Sequence, residues 1–500
     1  MLPGMLARAL SLKPHPSFST SSVARTIAAS CRGIHRQSRP RNNILSELAH
    51  KHPSFALNSA RTQTRSYALF SKSSLPASES QLKRALEPRF FSSNSAPPAE
   101  PLPVLSPPPV ARWLLLSSTL VFAVIVVGGV TRLTESGLSI TEWRPITGIL
   151  PPLSKAQWEA EFEKYKLTPE FKLLNHSITL SEFKSIFYME WGHRVLGRVI
   201  GLAFVFPLAY FAFRRRLAAS MPLQLTGMAL LIGAQGALGW YMVKSGLEDS
   251  LMETPGAVPR VSQYRLAAHL GTAFVLYAGM FWTGISVLKD WKFAKTGAWG
   301  GITDGRTWEK VLQNPIVKRF KTQSVLLTGL VFLTALSGAF VAGLDAGLLY
   351  NEFPLMGGRL APPTDELFDP AYASESDGTG LWRNIFENPT TVQFNHRMLA
   401  MTTYFSTCAL YLAARRPAIR AALPPLAFRS AAFAFGMANI QVLLGISTLL
   451  YLVPIPLAAA HQAGSVALLT AMIHLLIALR KPGMAARVWR QANIAKGVKP

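Results

Sequence analysis

At 500 residues, with 49% hydrophobic and 15% charged side chains and a positive mean hydropathy, the chain falls outside the range of soluble globular domains and reads as a membrane protein. A formal charge of +25 would suggest nucleic acid in a soluble chain, but here the basic residues gather in the N-terminal region and in alternate loops, which argues topology and no nucleic-acid partner. Cys31 and Cys408 are the only cysteines, so neither a disulfide framework nor a thiolate metal site can be built.

Residues 1–95 hold 14 Lys/Arg against three acids, Glu47, Glu79 and Glu87, with abundant Ser, Ala and Pro and no sustained apolar periodicity. This is the composition of a disordered mitochondrial transit peptide. Arg65-Ser66-Tyr67-Ala68 and Arg89-Phe90-Phe91-Ser92 are both contexts for a matrix peptidase.

From Arg112 onward, apolar runs near the ~20 residues that span a bilayer recur at 112–131, 194–213, 222–243, 264–288, 323–343, 397–414, 429–452 and 457–480. The loops between them alternate in charge. Segments 214–222, 289–321, 415–429 and 480–500 carry 21 Lys/Arg and three acids, whereas 132–192, 244–263, 343–395 and 452–456 carry 11 Lys/Arg and 19 acids. The positive-inside rule places the first set, and both mature termini, in the matrix of a multi-pass inner-membrane protein in contact with lipid.

The two long outer loops resemble each other. Gly137-Leu138, Trp143, Pro145 and Pro151-Pro152 return as Gly347-Leu348, Phe353, Pro354 and Pro362-Pro363 at offsets of 209 to 211, and Gln235-x-x-Leu238-Gly239 returns as Gln441-x-x-Leu444-Gly445. Such self-similarity marks a tandem duplication. Four spans per half is an even number, so both copies insert the same way. The expected fold is an all-α membrane protein of eight transmembrane helices, arranged as two tandem four-helix bundles related by a pseudo-twofold axis along the membrane normal. The halves cover 110–290 and 320–482, with a matrix tail at 483–500.

Four histidines occupy equivalent places: His193 and His396 at the start of the second span of each half, His269 and His461 at the start of the fourth. All four of those spans run inward from the intermembrane-space side, so the four imidazoles share one depth near that surface. Two imidazoles from separate helices in an apolar bundle are what six-coordinate heme iron requires. Each histidine also has a small residue one turn on, Gly197, Ala273, Ala400 or Ser465, beside which a flat macrocycle could lie. His474 has no counterpart and reads as structural, and His176 falls in a loop. The halves also differ: Glu190 precedes His193 by three residues, where Gln393 precedes His396. On a helix Glu190 shares a face with His193 and Arg194. A carboxylate there can move protons or balance charge, which an amide cannot; the same spacing also lets Glu190 pair with Arg194 or Arg198.

Gly128-Gly129-Val130-Thr131-Arg132-Leu133-Thr134, Ser136-Gly137-Leu138-Ser139, Glu142-Trp143-x-Pro145-x-x-Gly148-x-x-Pro151-Pro152 and Glu190-x-x-His193-Arg194-x-x-Gly197-Arg198 together resemble the mitochondrial form of the heme A synthase family. Asn395-His396-Arg397 and Ala460-His461-Gln462-x-Gly464 match its second half, and the resemblance covers roughly residues 110 to 480. It implies an oxidoreductase that converts the C8 methyl of heme O to the formyl of heme A for cytochrome c oxidase. By the same resemblance, His193 and His269 hold the substrate heme O, His396 and His461 hold a permanent heme b, and Glu190 is the catalytic carboxylate, with Arg194, Arg198 and Arg397 in support. Implied partners are a heme O synthase that delivers substrate and a matrix ferredoxin-type electron donor; a homo-oligomer is compatible with the pattern. Some bacterial members carry a cysteine pair in the first outer loop, and this chain has none there, which excludes a thiol-based step. The alternative class is a bis-histidine diheme b-type electron carrier, which predicts equivalent halves and hemes stacked across the membrane.

Overall fold

A computed structural model describes residues 101–145, 147–253, 258–302, 307–372 and 380–497. The expected targeting segment 1–95 and both cleavage contexts lie outside these residues. Among the described residues the protein is helical, with one isolated β-bridge between Met356 and Arg359. The helices used below are α1 (Pro108–Leu133), α2 (Lys155–Lys166), α3 (Pro169–Leu173), α4 (Leu180–Phe213), α5 (Met221–Lys244), α6 (Gln263–Thr296), α7 (Pro315–Gly343), α8 (Pro389–Arg415), α9 (Pro425–Leu450), α10 (Ile455–Ala478) and α11 (Met484–Ala495).

Proline recurs in the first turn of the long helices α1, α5, α7, α8, α9 and α10, where its missing N–H costs nothing and its fixed φ suits the helix. Several helices begin earlier than hydropathy places them. α4 starts at Leu180 rather than 194, because Thr179 and Glu182 form a capping box: Thr179 Oγ1 accepts from Glu182 N, and Glu182 Oε2 accepts from Thr179 N at 2.8 Å. α7 and α8 start at Pro315 and Pro389, ahead of the apolar runs at 323 and 397, and α6 continues to Thr296 before Gly297 ends it with φ +73°. The segment 483–500 contains α11, fastened to α6 by Asn493 Nδ2 donating to Ala294 O at 3.0 Å.

Seven of the eight long helices are extended and apolar enough to cross a membrane; α8 is not among them. Its first half carries Gln393, Asn395, His396 and Arg397, polar groups that turn towards the other helices and the outer loop. Leu202, Phe206, Leu230, Leu326 and Leu443, each more than half exposed, lie on the outer surface that lipid would cover.

Packing closes two rings. α1 lies against α4 and α6, and α5 against α4 and α6; α7 lies against α8 and α10, and α9 against α8 and α10. The rings meet where α1 and α6 contact α10, and where α6 contacts α7. Tyr277 of α6 and Thr470 of α10 share a hydroxyl contact of 2.6 Å across this seam. At its outer end Asp345, just past α7, accepts from Arg132 Nη2 at 2.8 Å and Arg260 Nη1 at 3.2 Å, both from the other half. Asp345 and its counterpart Glu135, 210 positions earlier, both adopt left-handed backbone, φ 52° and 50°. This conformation is uncommon outside glycine.

The N-terminal turns of α4 rise beyond the apolar span and pack Phe183 and Phe187 against Trp158 and Tyr165 of α2. In this outer cluster Glu170 of α3 is 4% exposed and accepts from Tyr165 Oη at 3.0 Å. Burial, reinforced by the nearby Glu190 and Glu135, raises its carboxyl to about 8 from an ordinary value of 4.5. The folded cluster therefore holds a proton that the unfolded loop releases, and between these two values its stability falls as pH rises, with a limiting slope of about 1.4 kcal/mol per pH unit. Protection factors across residues 155–180, exchange rates divided into their intrinsic values at each pH, are expected to fall from pH 5 to 8, and E170Q is expected to flatten that fall.

Candidate functional site

His193, His269, His396 and His461 come from α4, α6, α8 and α10, two to each ring. Thirteen residues of α4 precede His193, because the first turns of that helix stand beyond the apolar run that begins at 194; the other three histidines lie within two turns of their helix starts. Within each ring the two imidazoles are in electrostatic range of each other, His193 with His269 and His396 with His461.

What the histidines rest on is a glycine of the neighbouring helix. A Cβ built on Gly128 of α1 would lie 2.9 Å from His193 Cε1, and one on Gly445 of α9 would lie 2.8 Å from His461 Cε1. Gly239 of α5 and Gly338 of α7 stand in the same relation to His269 and His396, at 3.4 Å each. Glycine at these four positions lets a helix backbone come against an imidazole ring with no side chain between them. Of the small residues one turn beyond each histidine, Gly197 borders open space, with nothing within 4 Å of a Cβ built on it, which leaves room beside His193 for a flat group. Gly128 was visible in sequence only within the family-like stretch Gly128–Thr134, Gly239 and Gly445 only as the ends of the repeated Gln-x-x-Leu-Gly motif, and Gly338 not at all, since no local pattern tells which helix a glycine will meet.

Glu190 is 3% exposed and fully bonded. Its Oε1 accepts from Arg194 Nη2 at 2.7 Å and Nε at 3.1 Å, and its Oε2 accepts from Ser139 Oγ at 2.7 Å and Ile140 N at 2.8 Å. Arg194 is thus its ionic partner. Arg198 instead donates to Pro145 O and Arg144 O at 2.9 and 2.8 Å. Arg194 also donates to Ile140 O at 2.9 Å, and its counterpart Arg397 donates to Tyr350 O, 210 positions after Ile140. All three arginines therefore bind the outer loops down onto the helices. Gln393 donates to Tyr350 O at 3.2 Å, and its Oε1 is buried without a partner. Ser139 and the Ile140 amide were not singled out from sequence, because a loop hydroxyl 51 residues away carries no periodic signal.

Above Arg194 a cavity of about 270 Å³ is lined by Thr141, Glu142, Trp143, Trp240 and Lys244, with the two indoles stacked at 5.4 Å. Hydrogen bonding and charge from Lys164, with Arg144 alongside, hold the Glu142 carboxyl below its ordinary range. His474 contacts Ser430 through Nδ1 at 2.9 Å, away from the four-histidine set, and suits the structural role read for it. The rings also touch close to the histidines: Gln462, next to His461, donates to Ile125 O of α1 at 3.0 Å, and a Cβ at Gly129 would overlap its Oε1.

A polytopic helical membrane protein whose two helix rings each bring in a pair of imidazoles, every one seated on a glycine of a neighbouring helix, presents the donor type that heme iron takes. The chain belongs to the COX15-CtaA family, described as cytochrome oxidase assembly protein, which residues 111–473 match. It is 50% identical over 368 residues to the heme A synthase-mitochondrial ferredoxin fusion protein of Schizosaccharomyces pombe, covering 73% of this chain and 59% of that one. Identity to heme A synthase COX15 is 48% in Saccharomyces cerevisiae, covering 75% of this chain and 76% of the relative, and 47% in Homo sapiens, covering 74% and 83%. The chain thus spans less than two thirds of the fusion relative and about four fifths of the other two.

The glycine seats make a graded prediction. Gly445→Ala puts a methyl within 2.8 Å of His461 and must displace the ring, whereas Gly338→Ala meets His396 at 3.4 Å, an ordinary contact. Pigment per polypeptide in purified G445A is expected to fall well below wild type, while G338A stays near it.

Proposed function

We propose that this chain carries out the reaction its relatives are named for: it is a heme A synthase, an oxidoreductase of a mitochondrial multi-pass membrane protein family that oxidises the C8 methyl of heme O to a formyl group. The observation that carries this reading is the pair of imidazoles in each helix ring, with an ionisable carboxylate, Glu190, beside the first pair only. His193 and His269 would hold the heme O substrate, and His396 and His461 would hold a resident heme b. When bound, heme b supplies one-electron redox chemistry.

With the electron donor proposed below, each of two stages consumes one O2, two electrons and two protons, places one oxygen atom in a C–H bond and leaves the other as water: methyl becomes hydroxymethyl, and hydroxymethyl becomes the hydrated aldehyde, which then sheds water. The protein's part is positioning and proton handling. Arg194 and the Ile140 amide fix the carboxylate of Glu190 on the face of α4 that also carries His193. Ser139 Oγ, donating to Oε2, is the hydroxyl through which a proton passes between Glu190 and the outer loop. Gln393 cannot do this, which suits a second half limited to electron transfer.

Eight transmembrane helices in two bundles related by a pseudo-twofold axis along the membrane normal are supported by the packing. Exchanging α1 with α7 and α6 with α10 leaves the set of contacts at the seam unchanged. Charge alternation supports matrix termini and hemes on the intermembrane-space side. A ferredoxin-type donor on the basic matrix face is supported by the name of the fission-yeast relative, a fusion with mitochondrial ferredoxin. Heme O reaches the site from a heme O synthase.

Glu190→Gln keeps an acceptor for Ser139 and removes the ion pair to Arg194. Purified E190Q is expected to contain both hemes but to convert no heme O, as read by pigment extraction and mass analysis. Conversion at the wild-type rate would refute the role of Glu190, and two equivalents of heme b with neither heme O nor heme A in the wild type would favour an electron carrier.

A further inference from the structure

The two histidine pairs differ in what meets Nδ1, the ring nitrogen left over when Nε2 binds a metal. His396 Nδ1 lies 2.7 Å from Ser337 Oγ, and the Ser337 hydroxyl is also 2.7 Å from Thr334 O. A hydroxyl has one hydrogen. With that hydrogen given to the Thr334 carbonyl, Oγ can only accept from His396, which puts the ring proton on Nδ1 and leaves the Nε2 lone pair free. This is the tautomer a coordinating imidazole needs, and the bond fixes the ring's rotation as well. His461 differs: its Nδ1 faces the amide nitrogen of Gln441 at 3.1 Å, a group that only donates, so this contact places no proton on Nδ1.

The first half keeps the histidines and lacks these partners. Gly128 and Gly338 seat His193 and His396 alike, so the residue before each corresponds: Ser337 in the second half is Val127 in the first. His193 Nδ1 is buried with no hydrogen-bond partner among the described residues. Gln235 is the counterpart of Gln441, but its amide donates to Thr272 Oγ1 at 2.7 Å, and His269 Nδ1 is also buried without a partner. Thr272 lies three residues after its histidine, where the second half has Gly464, and a Cβ at Gly464 would overlap Gln441 Oε1. Val127 in place of Ser337 therefore removes from the first half the acceptor that His396 has and His193 lacks.

We propose that Ser337 is a positioning residue that locks His396 in its coordinating tautomer and makes the second-half site retain its heme, whereas Val127 leaves the corresponding His193 unlocked so that heme can enter and leave the first-half site. This rests on the reading that the four histidines hold hemes. A site that must release product at each cycle gains from ligands free to rotate, and a resident cofactor gains from ligands that are not.

The test is transfer of heme from the purified full-length protein in detergent to excess apomyoglobin, followed optically, together with the reduction potential of the heme that remains. Removing such a second partner of a metal-bound histidine typically costs about 10- to 100-fold in affinity. S337A is expected to release the slowly exchanging heme faster by that order and to raise its potential, because the Nδ1–H bond favours the oxidised iron. S337T, which restores the hydroxyl, is expected to recover both, and V127S to slow loss from the fast-exchanging site. Wild-type transfer rates in both S337A and V127S would overturn the proposal. H396A separates this from failure of the underlying reading: loss of the retained heme in H396A with no effect of S337A sinks only the lock, whereas full heme content in H396A sinks the ligand assignment itself.

Discussion

A polar group on a membrane-spanning helix cannot be satisfied by lipid, so each one must find its partner inside the protein or at the water boundary. The arrangement around the histidines follows from that requirement. Glu190 would be costly as a lone buried charge. It is tolerated because Arg194 neutralises it and Ser139 and the Ile140 amide take up its other oxygen. The arginines in turn draw carbonyls of the outer loops down onto α4 and α8, so the loops act as lids whose backbone supplies what the bilayer cannot.

Much of this was legible in the sequence, and what was not has identifiable causes. Long apolar runs gave most of the crossing helices, because burial in lipid demands about 20 apolar residues whatever the neighbours are. The same signal misplaced the beginnings of α4, α7 and α8, where capping and proline chemistry start the helix in a polar stretch that hydropathy reads as loop. The histidines stood out through their repetition. Their glycine seats and the Ser337 contact did not, because each depends on which face of a different helix comes to rest against the ring. Glu190 was flagged as either reactive or structural, and its full set of partners shows that it is structural at the least, with Arg194 and not Arg198 as its counter-ion.

The proposed duplication relates positions of the two halves, some alike and some different. Positions that set geometry recur in both halves: the left-handed turn at Glu135 and Asp345, the arginine reaching Ile140 O or Tyr350 O, and the glycine beneath each histidine. Positions that set chemistry diverge: Glu190 against Gln393, Val127 against Ser337, Thr272 against Gly464. A duplicated scaffold can specialise in this way because a side chain pointing into one ring need not satisfy the other.

The exception is the short stretch of α1 that serves both rings. Gly128 bears on His193 of the first ring, while Gly129 and the carbonyl of Ile125 receive Gln462, the residue bonded to His461 in the second. One turn of one helix therefore acts as a common gauge block between the two imidazole pairs, setting their separation by backbone alone. Electrons crossing from one site to the other would meet the same few atoms each time, and a mutation that thickens α1 at this point would be felt on both sides at once. The paired glycines leave evolution little latitude here, whichever of the two sites is under selection.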